Sequence, residues 1–174
     1  MTSDFALLSR SPLTITVAGT AVSIPYRPAA VWTENLGRLH VLASRLADDH
    51  GRYVLADLIV DRPSAREDLK HESFRILAEA SGWKWWEASR LLATSITPEV
   101  LGRLVLAGAD PWNRSVGEWC AATYAICVKG HDEKGRLKFD FSLSIPPVGY
   151  EDEWDDGEDP AVVAAQVAKL TGKG

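Results

Sequence analysis

Between Leu13 and Tyr26 apolar and polar positions alternate. Threonines separate Leu13, Ile15 and Val17, and Val22, Ile24 and Tyr26 alternate again after Gly19-Thr20. A period of two puts alternate side chains on one face of a strand, so the stretch predicts a β-hairpin with one apolar face. A turn built on Gly19-Thr20 sets Val17 opposite Val22 and Ile15 opposite Ile24. Pro25 and Pro28 end it. Two strands alone are marginal in water, so the hairpin has to lie on the helices or on another chain.

The period then changes from two to about three and a half. Trp32, Leu36, Leu39, Ala43 and Leu46 follow a 4-3-4-3 spacing, which predicts one helix over 28–48, broken by Asp48-Asp49-His50-Gly51. Residues 53–60 form a short apolar run containing Asp57, read as a helix although a strand of this length has a similar pattern. Ser64 with Glu67 has the spacing of a capping box. Leu69, Ser73, Ile76, Leu77 and Ala80 make the inner face of the helix that follows, which closes at Gly82.

The stretch 81–127 carries five of the seven tryptophans, and each of its apolar runs is bracketed by its own signals. A helix is predicted over 83–95, with Trp85, Ala88 and Leu92 in one stripe and Trp86 beside them. Thr97-Pro98-Glu99 supplies an N-cap hydroxyl, a proline at the first helical position and an acid in the first turn of a helix over 98–107. Gly108 suits its C-terminus. Ser115 with Glu118 is another capping box, opening a helix over 115–129 with Val116, Trp119, Cys120, Thr123 and Cys127 on one face. Asp132 opens a last helix to about Leu143, and Ile145-Pro146-Pro147 stops it. The fold class is therefore mainly α: a compact multi-helix domain at 28–149, a short N-terminal β-hairpin within 1–27, and an acidic, mobile tail at 150–174 with a short helix over 160–170.

Charge changes the picture only in that tail. The run 151–159 holds seven acids and no base, so the net −5 of the 174-residue chain becomes +2 without it. A near-neutral body lacks the basic stripe of a nucleic-acid binder. No apolar run reaches the ~18 residues of a membrane helix. Cys120 and Cys127 lie two helical turns apart, too far for a disulfide, and read as small buried apolar residues.

Candidate chemistry is sparse. His40, His50, His71 and His131 form no metal spacing, so no metal or cofactor is expected. A Cys120–His71 nucleophile–base pair, and with it a small hydrolase, has no local support. The tryptophans suggest a partner surface instead, because three rings within four residues cannot all face one side of a helix. Trp83 or Trp86 is then the exposed ring. Trp83, Trp86 and Trp112 are the candidate contact residues in the body, and Asp152, Asp155 and Asp156 those in the tail, where they would steer a basic partner.

The order Gly82-Trp83-Lys84-Trp85-Trp86-Glu87-Ala88-Ser89-Arg90-Leu91-Leu92, the run Val100 to Pro111, Trp119-Cys120-Ala121-Ala122-Thr123-Tyr124-Ala125, Asp132-Glu133-Lys134 with Lys138-Phe139, and Ile145-Pro146-Pro147 resembles the tail assembly chaperones of long-tailed phages that infect actinobacteria. The resemblance covers about residues 80–150, with an acidic tail after it as in that family. It implies a non-enzymatic protein of the host cytoplasm that binds the tape measure protein, keeps its apolar helices from aggregating, helps recruit tail tube protein and is absent from the mature virion. Tape measure protein, tail tube protein and a longer, frameshifted form of the chain itself are the implied partners, and a homo-oligomer is left open. The alternative is a structural protein of the virion, a connector or tail-completion subunit that uses the hairpin to pair with its neighbours.

Overall fold

The computed structural model describes residues 11–150. The chain divides into two compact units, Met1–Cys127 and Val128–Gly174. The first holds the hairpin β1 (Leu13–Val17) and β2 (Thr20–Ile24), then α1 (Ala29–Glu34), a 3-10 helix (Leu36–Val41), α2 (Leu42–Leu46), α3 (Asp49–Asp61), α4 (Ala65–Ser81), α5 (Trp85–Ser95), α6 (Pro98–Leu106) and α7 (Val116–Val128), whose last residue falls past the division. The second holds α8 (Glu133–Ser144). The mainly helical fold with a two-stranded antiparallel hairpin is as the periodicities predict. The acidic run and the short helix expected over 160–170 lie outside the described residues.

The hairpin register differs from the expected one. Val17 pairs with Thr20, Ile15 with Val22 and Leu13 with Ile24. The turn is Ala18-Gly19, with φ of 50° and 78°. Two successive left-handed residues twist as the strands do, and only glycine takes that region without cost, so Gly19 belongs inside the turn rather than at its start. The slip from the expected pairing is two residues. Two is the side-chain period, so Ile15, Val17, Val22 and Ile24 still share the core face, each at most 6% exposed.

The expected helix over 28–48 is three short pieces. Thr33 Oγ1 donates to Ala29 O at 2.8 Å and Asn35 Nδ2 to Val31 O at 2.8 Å. Such back-bonding, followed by Gly37, weakens the helix, and Arg38 sits at φ −137°, ψ 45°. The Ala43 amide then takes a tertiary partner, the buried Ser73 Oγ of α4, at 3.0 Å. Arg27 closes the far end of α2 by donating to Leu46 O and Ala47 O. The polar run after it starts the next helix rather than merely ending the last: Asp48 Oδ1 accepts from the Gly51 amide at 2.7 Å. Residues 53–60 are helical, inside α3.

α4 is the hub of this unit. It packs on β1, the 3-10 helix, α2, α3 and α5, burying Leu69, Ile76 and Leu77. The expected Ser64–Glu67 box does not form, because Ser64 makes no side-chain cap bond. Glu67 instead faces Lys70 and His71 at 2.8 and 3.2 Å, contacts that hold its carboxyl below the usual range. Gly82, at φ 72°, closes α4 as expected. In the second unit Asp132 Oδ1 caps α8 through the Gly135 amide at 2.7 Å, and Leu143 is its one buried side chain.

Candidate partner-binding surface

Of the five tryptophans in 81–127, two are buried, two half-buried and one exposed. Trp119 is 1% exposed, and its indole Nε1–H donates to the buried Ser95 Oγ at 2.9 Å. Trp85 stacks on Phe74 of α4, with centroids 4.0 Å apart and planes 6° from parallel. Trp86 is 3% exposed, edge-on to Trp85 at 5.7 Å and below Lys84 Nζ. This corrects the expectation that Trp86 is an exposed ring. Trp83 escapes the helical argument altogether, since α5 starts at Trp85. It is half-buried, 5.4 Å from the Tyr124 ring.

Trp112 is the exposed ring, at 58%. Its display is built from the sequence up. α6 ends in a paired turn, with the Ala109 amide bonded to Leu104 O and the Gly108 amide to Val105 O, both at 2.9 Å, and Gly108 at φ 74°. Asp110 then holds the loop, its carboxylate accepting from the Trp112 amide and the Asn113 side chain. Pro111 O and Arg114 O accept from the Ala30 and Ala29 amides, satisfying the first turn of α1. Ser115 and Glu118 exchange the two bonds of the expected capping box, at 3.2 and 2.8 Å. Trp112 therefore sits on a loop tied down on both sides, so little backbone freedom is lost when the ring is bound.

The helix before that loop is also open. Leu104 is the buried side chain of α6, whereas Val105 is 59% and Leu106 89% exposed, and Ile96 just ahead of it is 55% exposed. Among the described residues of the first unit, four of the six large exposed apolar side chains fall within 96–112; the others are Tyr53 and Val60. The sequence reading missed Ile96, Val105 and Leu106, although Leu104-Val105-Leu106 is three consecutive apolar positions, more than one helix face buries. The Glu99–Arg103 pair, 2.8 Å apart, lies on the same stripe as Leu106, at i, i+4 and i+7, so charge borders the exposed leucine. Asp152, Asp155 and Asp156 lie outside the described residues.

The candidate chemistry does not assemble. Cys120 is fully buried in α7, its Sγ 4.0 Å from Ala88 O, and burial pushes its thiol up to about 12. His71 is exposed on α4 beside Glu67. Cys127 is a free, half-buried thiol, raised by the same desolvation. Among the described residues no three His, Cys, Asp or Glu side chains gather as metal ligands, and no helix is long and apolar enough to cross a membrane. Comparison of the chain with protein-family models, with curated proteins and with solved structures finds no match.

Proposed function

We propose that this chain is a phage tail assembly chaperone that holds the tape measure protein through its 96–112 surface and releases it as tail tube protein assembles. The observation that carries the reading is Trp112, a large ring presented to solvent on a pinned loop beside the open end of α6. A holdase needs a folded body with an apolar face that replaces water around aggregation-prone helices. The resemblance of residues 80–150 to that family supports the same reading. On it, the protein works in the host cytoplasm, is not an enzyme and is absent from finished particles.

Co-expression with the tape measure protein tests this. The wild-type chain is expected to keep the tape measure protein in the soluble fraction. Leu106→Asp and Trp112→Ala each remove a contact worth about 2 kcal/mol, or roughly 30-fold in affinity, and send it to the pellet while this chain stays folded. Equal solubility of the tape measure protein without this chain overturns the proposal. Recovery of the chain from purified particles at a fixed copy number replaces it with the connector or tail-completion reading.

A further inference from the structure

The two edges of the hairpin are treated differently. Thr14 and Thr16 carry the outward backbone groups of β1, and side chains of α4 take them. The Thr16 amide donates to Glu72 Oε2 at 3.2 Å, the Ala18 amide to Asp68 Oδ2 at 2.9 Å, and Thr14 O accepts from Arg75. Arg62 Nη1 donates to Ala18 O at 2.7 Å. Asp68, Glu72 and Arg75 lie at i, i+4 and i+7, one stripe of a helix, and they occupy the place a third strand would take. Glu72 and Glu79 in turn grip Arg75 at 2.8 and 2.6 Å and keep it charged.

Among the described residues β2 has no such seal: α3 packs on it at Gly51 against Val22, a side chain of the core face. Ala21 lies opposite Thr16 and Ser23 opposite Thr14, so these are the pairs that do not bond each other. The amides and carbonyls of Ala21 and Ser23 point away from β1, and no described residue bonds them. Proteins ordinarily guard an open edge with Lys, Pro, a bulge or a covering element. Thr20–Ile24 has no charge, no proline and no bulge, and both Ala21 and Ser23 are exposed.

We propose that the β2 edge is a self-association site: two copies of this chain pair β2 against β2, antiparallel about Val22, to form one four-stranded sheet. The occupant follows from geometry. Centring on Val22 sets Ala21 of each copy opposite Ser23 of the other, and both positions have outward groups, so the strands exchange four N–H···O bonds. The side chains meeting there are small and uncharged, so like copies do not repel. Because α4 seals β1, each copy offers one open edge, and association closes at two instead of growing into a fibre. Five residues bury far less than the ~1,200 Å² of a standard interface, so the dimer is weak and forms at high concentration.

Sedimentation of the full chain between about 5 and 500 µM tests this. A shift from 19.0 kDa toward twice that mass is expected. Amide exchange at Ala21 and Ser23 should slow with concentration, and that at Thr16 and Ala18 should not. Ser23→Pro deletes an outward donor that the hairpin ladder does not use and should raise the dissociation constant at least tenfold. Ala21→Lys, which keeps every backbone donor, should do the same by placing charge on the edge, and it decides the matter where Ser23→Pro unfolds. A wild-type chain that is monomeric throughout overturns the proposal. So does a dimer that survives Ala21→Lys, or one that forms without protecting Ala21 and Ser23, since another surface then makes it.

Discussion

The Trp119–Ser95 hydrogen bond gives the sharpest test of how the tryptophan-rich stretch holds together. Both residues are at most 1% exposed, and Ser95 Oγ accepts from the indole at 2.9 Å while donating to Leu92 O at 2.7 Å. Ser95→Ala leaves a buried indole N–H without a partner, which costs about 1–3 kcal/mol; the better helix propensity of alanine returns a few tenths. Trp119→Phe leaves a cavity and costs about 2–3 kcal/mol. In the double variant there is no indole to orphan, so the loss should be close to that of Trp119→Phe alone. The coupling energy is then about 1–2 kcal/mol. Urea unfolding followed by circular dichroism at 222 nm measures all four corners, with an unchanged m-value as the control. Ser95→Ala alone should lower Tm by about 4–8 °C, taking ~2 kcal/mol and the usual scaling for a chain of this size. Additivity within about 0.3 kcal/mol would refute the reasoning, because it would mean the bond contributes nothing that the two side chains do not contribute separately.

Two further outcomes follow from the geometry. The Cys120 thiol titrates at about 12 when folded against 9.0 ordinarily, so above pH ~9 the unfolded chain loses a proton that the folded chain keeps. Stability is whole below that pH and falls as pH rises toward 12, by up to about 1.4 kcal/mol per unit, and Cys120→Ala should flatten that slope in urea titrations at pH 8–11. A Cβ on Gly102 meets nothing within 4 Å, whereas one on Gly117 meets Ser81 O at 3.0 Å and Ala80 O at 3.2 Å, both backbone. Gly102→Ala should therefore stabilise by about 0.5–1 kcal/mol and Gly117→Ala destabilise by about 1–2, read from urea midpoints; equal shifts would refute the close approach of α7 to the end of α4.

Local signals were legible in this chain where one residue type does one job. Gly82, Gly108 and Gly130 stand at positive φ after α4, α6 and α7, and Ser115 with Glu118 makes the box its spacing promises. Ser64 with Glu67 has the same spacing and makes none, because Ser64 itself takes helical angles, φ −65° and ψ −23°, instead of the extended N-cap backbone, and Glu67 turns to Lys70 and His71. The break inside 28–48 was hidden because apolar spacing survives a kink: Trp32, Ala43 and Leu46 are buried on either side of Arg38. Burial of Trp86 and exposure of Trp112 were not readable from spacing, since which face of α5 meets α4 depends on Phe74, eleven residues before Trp85, and the loop carrying Trp112 is held by the first turn of α1, about eighty residues upstream.

The seal on β1 also sets a timetable. The carboxylates and guanidinium that close it come 50 to 61 residues after the groups they bind. At about 5–20 residues per second, ribosomal synthesis from Ala18 to Arg75 takes roughly 3–11 s. Throughout that interval β1 lacks the partners of its outward groups, and because two strands alone are marginal in water, the hairpin becomes a lasting part of the molecule only once α4 has been made.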